Sequence, residues 1–190
     1  MISEALVFLK NRLNTHLKSG RSPDESQEEP VVFLDGQNME PLTFKLGAVS
    51  VLLINIEEET TLRPPDRFQR SAPDGTSQKI QPDIRLNLYV LFVARYRQYE
   101  ESLRYLSLII RYFQQQRLFN HHNAPELGED IEQLVLELIT LPFSEQNEVW
   151  SSLRVTYHPS LLYKVKMVVF KDEAAISLPE VAEKRLRLAS

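Results

Sequence analysis

Apolar positions near the start of the chain recur with a helical period. Ile2, Ala5, Leu6, Leu9, Leu13 and Leu17 are spaced three, one, three, four and four residues apart, which predicts an amphipathic helix over 2–19. Lys18 stands in the last turn, where a cation faces the negative end of the helix dipole, and Gly20 follows as a residue that tolerates a left-handed cap. The next stretch, "RSPDESQEEP", is polar and acidic without a period and reads as a solvated loop. "VVFLDG", from Val31, predicts a short strand ending in a turn. In "LGAVSVLLINIEEE", residues 46–59, both faces are apolar until the glutamates begin, so this segment is expected to be a central strand.

Residues 60–80, "TTLRPPDRFQRSAPDGTSQKI", carry Pro64, Pro65, Pro73 and Gly75, and form a long connection for a compact domain. "PDIRLNLYVLFVARY" follows. Pro82 suits a strand start, and Ile84, Leu86 and Leu88 alternate with Asp83, Arg85 and Asn87 before both faces turn apolar beyond Tyr89. The pattern then returns to a helical period from Tyr99 to Gln116. One stripe is Tyr99, Leu103, Leu106, Ile110 and Phe113; a second, Tyr105, Leu108, Ile109 and Tyr112, lies beside it. The combined sector is wider than one sheet face needs. Either the helix is sandwiched within its own domain or it meets a second subunit.

"DIEQLVLELITLPF" fits either period, and the alternation of Leu134, Leu136 and Leu138 favours a strand. "SEQNEVWSSL" predicts a short helix capped by Ser144, with Val149, Trp150 and Leu153 turned inward. His158-Pro159 breaks the chain, because proline restricts the residue before it. Beyond it Tyr163, Val165, Met167 and Val169 share one strand face, and Lys164 and Lys166 the other. The C-terminal "LPEVAEKRLRLAS" reads as a short helix or an extended arm. These elements make one domain over 1–190, with a long loop at 60–80 and a C-terminal arm at 176–190. The expected class is mixed α/β (α+β): a twisted, mainly antiparallel sheet flanked by the N-terminal helix and the long central helix.

Charge narrows the range of partners. Twenty-two Lys and Arg against 26 Asp and Glu leave a formal charge of −4, without the basic surplus that drives phosphate binding, so nucleic acid is not the expected partner. The first residues lack a basic region and their apolar run is broken by Lys10, Asn11 and Arg12, so they do not read as a signal peptide. No long apolar stretch suggests a membrane partner. The absence of cysteine removes disulfides, thiol nucleophiles and thiolate metal sites, and suits a reducing compartment.

Catalytic signatures are missing. The five glycines form neither phosphate-cradling loop, and there is no G-x-S-x-G or H-E-x-x-H, so no cofactor, metal or catalytic residue is assigned and the chain is not expected to be an enzyme. Pro82-Asp83 lacks the acidic-x-Lys that would complete a metal nuclease site. His121-His122 lies in a polar stretch, and neighbouring residues on a strand would face opposite ways. His16 reads as a packed histidine, and His158 adjoins a turn. Glu57, Glu58 and Glu59 read as a solvated strand boundary.

Taken together, "MISEALVFLKNRL", the strand with its acidic stop, "PDIRLNLYVLFVARY", the long helix and "VW…HPSLLYKVKMVVF" form a pattern. In that order they resemble the tail-terminator or cap proteins of extracellular contractile injection systems, phage-tail-like particles of the antifeeding-prophage type. Trp150, Pro159-Ser160 and Tyr163 to Lys166 carry the most specific part of the resemblance. The resemblance implies a structural protein closing the inner tube and sheath, as a six-membered ring, assembled in the bacterial cytoplasm and then part of a released particle. Alternatives are a phage head-to-tail completion or neck protein, and an enzyme of unknown type. A closed ring needs two different patches meeting head to tail. Tyr105, Leu108, Ile109 and Tyr112 are the candidate subunit contact. Arg63, Arg67, Arg70 and Lys79 of the long loop, with Lys164 and Lys166, are the candidate contacts to tube or sheath.

Overall fold

A computed structural model describes residues 1–18, 28–34, 42–59, 69–71, 77–79, 84–169 and 176–177 of the chain. In chain order the elements are α1 (Ile2–Lys18), β1 (Val31–Phe33), β2 (Ala48–Glu58), β3 (Gln69–Ser71), β4 (Ser77–Lys79) and β5 (Ile84–Arg95). They continue with α2 (Tyr99–Gln115), β6 (Leu118–Asn120), β7 (Ile131–Ile139), α3 (Phe143–Leu153), β8 (Ser160–Val169) and β9 (Ile176–Ser177). Six strands form the main sheet in the order β1-β2-β5-β8-β7-β6, all antiparallel neighbours except the β1–β2 pair.

The expected class is the observed one, a twisted α+β domain. The strand order differs from the expectation in one respect. β2 is second from the edge, and β5 and β8 hold the centre. β2 looks interior by sequence because Ala48 to Leu52 are buried; beyond Ile54 its residues are exposed. Within 60–80, β3 and β4 pair as a hairpin, and β9 from the C-terminal arm joins β4 to make a second, three-stranded sheet.

The core lies on one face of the main sheet. Leu88, Val90 and Phe92 of β5 and Tyr163, Val165 and Met167 of β8 pack there beneath α1 and α2. α1 buries Ala5, Phe8, Leu9, Leu13 and Leu17; of the stripe read from the sequence Ile2 and Leu6 are only partly buried, and Phe8 joins it. Aromatic edges lock the layer, with Phe92 and Tyr163 ring centroids 5.8 Å apart and Phe113 and Tyr163 5.0 Å apart. Arg12 carries α1's attachment to the loop before β7: it pairs with Glu126 and donates to the Asn123 carbonyl at 3.1 Å. Gly47, with φ of 83°, turns the chain into β2, and its N–H donates to the Arg95 carbonyl at 2.7 Å.

α2 resolves the two stripes differently from the expectation. Its buried face combines Tyr105, Ile109 and Tyr112 with Leu106 and Phe113, whereas Tyr99 and Leu103 are exposed at 64% and 44%. The wide apolar sector is used within the domain, wedged between the sheet and α1.

The opposite face is covered on one half only. There α3 lays Trp150 over Leu52, Leu91, Val93 and Leu162 as a second, smaller core. The helix begins two residues earlier than expected, with Pro142 rather than Ser144 at the cap position. Proline serves there because its extended backbone ends the preceding segment and its missing N–H costs nothing at a helix start. Arg154 closes α3 in the left-handed conformation, at φ 55° and ψ 34°.

Candidate functional site

The half of the sheet that α3 leaves open is polar, and its residues meet by register. Asn55, Tyr89, Lys164 and Glu137 lie side by side across β2, β5, β8 and β7, and Glu57, Asn87 and Lys166 form the next row. The lysines read from the sequence as a cationic face are therefore not one. Lys166 donates to Glu137 at 2.6 Å, and the Lys164 ammonium sits 5.9 Å from the Tyr89 ring centroid. β7, on the far side of β8, supplies an acid for Lys166, so the two lysines stand in a row of mixed charge rather than on a purely cationic face.

The acidic run at the end of β2 is more than a solvated boundary. The Tyr89 hydroxyl donates to Glu57 at 2.7 Å and Asn87 Nδ2 donates to Glu59 at 3.0 Å. Strand alternation puts both glutamates on this face and Glu58 on the other. The hydrogen bond to the Glu57 carboxylate, with partial burial, raises the Tyr89 pKa above its ordinary value. Burial alone pushes the Tyr163 phenol, on the core face, up to about 12.

Other sequence candidates fall outside any site. Arg63 and Arg67 lie outside the described residues; Arg70 and Lys79 stand on β3 and β4. Ile109 is fully buried, and Tyr105 and Tyr112 are 5% and 8% exposed, so these three cannot form the subunit contact expected of them. Leu108 is half-buried against the same core. The apolar groups that α2 does present outward are Tyr99 and Leu103. His16 packs against Tyr112, ring centroids 4.6 Å apart, and His121 and His122 are exposed in a turn. His158 is held between Phe44 and Trp150, and its Nδ1 donates to the Thr156 carbonyl at 2.8 Å. Among the described residues no three His, Asp or Glu side chains are grouped to hold a metal, and no helix is long and apolar enough to cross a membrane.

One concavity stands out. A groove of about 1040 Å³ runs between the edge of β2 and α3, floored by Leu52, Tyr89 and Leu162 and walled by Val149 and Leu153. Leu34 and Leu42 close its other side. The sequence gives no local signal for this groove, because its walls come from three separated segments.

This arrangement, a mainly antiparallel sheet with two helices on one face and a third on half of the other, is the fold of sheath and tube terminators of contractile injection systems. The chain belongs to the family described as the Pvc16 N-terminal domain, which matches residues 5–183. Among solved structures it is similar to the PVC sheath/tube terminator of an extracellular contractile injection system in its extended state, with a TM-score of 0.59 and 13% identity. That likeness covers 100% of this chain and 64% of the terminator, so the chain spans under two-thirds of the length of the protein it matches. It is also similar to the anti-feeding prophage cap, the AFP tube terminating cap, with a TM-score of 0.46, 16% identity, and coverage of 75% of this chain and 49% of that one. No curated protein matches the chain.

Proposed function

We propose that the chain is a structural protein that terminates and caps the inner tube and sheath of a contractile injection system. The family match over residues 5–183 carries this reading, and the likeness to a sheath/tube terminator over the whole chain supports it. The partners are copies of itself, arranged as a six-membered ring, and the tube and sheath proteins. The role needs no reaction, since closing a tube is a matter of complementary surfaces. Tyr99 and Leu103 on α2 supply an outward apolar surface of the kind a subunit contact uses. Assembly takes place in the bacterial cytoplasm, and the protein leaves as part of the particle. Residues 1–190 act as one unit, a reading supported by the pairing of β9 in the C-terminal arm with β4.

Deleting the protein from a producing cell tests the role. Particles assembled without it are expected to carry tubes of uncontrolled length and an unsealed end under the electron microscope. Uniform, closed tubes in its absence would contradict the proposal.

A further inference from the structure

α2 and α3 pack on opposite faces of the main sheet, and their outward surfaces are opposite in charge. On α2, Tyr99 and Leu103 stand one turn apart along one line of the exposed surface, and Arg104 and Arg111 two turns apart along a neighbouring line. Neither arginine makes an ion pair or a hydrogen bond among the described residues. The acids of this helix, exposed Glu100 and half-buried Glu101, sit in its first turn, where the helix dipole favours them. On α3, Glu145 and Glu148 are exposed and likewise unpaired among the described residues, and they rim the groove beside Val149 and Leu153. α3 carries no cation, and Arg154 follows only at its C-cap.

The sheet stands between the two helices, so the arginines of α2 meet the glutamates of α3 only between copies of the chain. There the match is direct in both respects: Tyr99 and Leu103 are apolar, as are Val149 and Leu153, and Arg104 and Arg111 complement Glu145 and Glu148. We propose that the outer face of α2 in one copy docks on the groove-side flank of α3 in the next. Exposed ion pairs add little energy by themselves, so burial of the apolar side chains supplies the affinity and the charges set the register. The two patches differ, which makes the contact heterologous, and a succession of copies leaves no patch uncovered only when it closes into a ring. This inference deepens the reading of the chain as a ring-forming cap and rests on it for the closure.

Light-scattering mass of the full chain over a concentration series is the test, with paired charge reversals at exposed helix positions and circular dichroism to check that the fold is kept. Arg104→Glu/Arg111→Glu and Glu145→Arg/Glu148→Arg are each expected to weaken association at least tenfold. The variant carrying all four substitutions is expected to recover to within roughly threefold of the unaltered chain, because each copy again offers complementary faces. Unchanged association in either reversed pair, or no recovery when the two are combined, would overturn the inference. So would an unaltered chain that stays monomeric up to roughly 1 mM. Reversals that leave association unchanged yet keep the chain off purified particles would assign the faces to tube or sheath and overturn it as well. None of these results touches the capping role if the chain still marks one end of the particle. The expected pattern of association without that mark would instead strike the capping role and keep the contact.

Discussion

Asn14 and Val31 exchange two hydrogen bonds, Asn14 Nδ2 donating to the Val31 carbonyl at 2.9 Å and the Val31 N–H donating to Asn14 Oδ1 at 2.8 Å. Asn14 is 6% exposed and Val31 fully buried, so a single amide pins α1 to the short edge strand β1 in place of a backbone ladder. Asn14→Leu strands both backbone groups. A loss of about 2–4 kcal/mol is expected from the desolvation of two unpaired groups, measured by urea unfolding. A loss within experimental error would mean that β1 does not depend on this contact.

Ile109 gives the second prediction. Ile109→Ala is expected to cost about 3 kcal/mol by opening a cavity between α2 and the sheet. Ile109→Glu should fail to fold, whereas Leu103→Glu, on the exposed side of the same helix, should keep the thermal midpoint. A folded Ile109→Glu monomer would place that side chain at an interface and contradict the packing described.

Arg154 ends α3 with a positive φ of 55°, a conformation that costs an L-residue about 1–2 kcal/mol. Arg154→Gly removes that cost and adds back about 0.4–1 kcal/mol of unfolded-chain entropy, so a net stabilisation of about 0.5 kcal/mol is expected. A lower thermal midpoint in this variant would show that the Arg154 side chain contributes more than its backbone costs.

Tyr163 and Tyr89 set an alkaline limit. Both phenols have folded pKa values above the unfolded one, Tyr163 at about 12 through burial and Tyr89 through its bond to Glu57. Between pH 10 and 12 the unfolded chain binds fewer protons than the folded one, so stability falls as pH rises through that window and is intact below it. Tyr163→Phe should flatten the decline in denaturant midpoint over that range. An unchanged slope would assign the decline to other groups.

These effects also show which parts of the molecule were legible in its sequence. α1 and β8 were readable because each carries an unbroken period of its own residues, such as Tyr163, Val165, Met167 and Val169 on β8, whereas β7 fitted either period and only the alternation of Leu134, Leu136 and Leu138 favoured a strand. Which stripe of α2 faces inward was not readable, since two adjacent stripes were equally apolar and only the position of α1 and the sheet decides between them. The apparent cationic face of Lys164 and Lys166 failed for the same reason. Its neutralising partner Glu137 is 29 residues from Lys166 in the chain and meets it only through strand register. Asn14, a polar residue within an amphipathic helix, gave no hint of its burial, because the backbone it satisfies is 17 residues away.

The central claim, that the chain terminates a tube and sheath, is tested most directly by locating it on intact particles. Gold bound to an affinity tag on the chain and imaged by electron microscopy is expected at one end of each particle and nowhere along its length. Label spread along the sheath, found at both ends, or absent from purified particles would contradict the account.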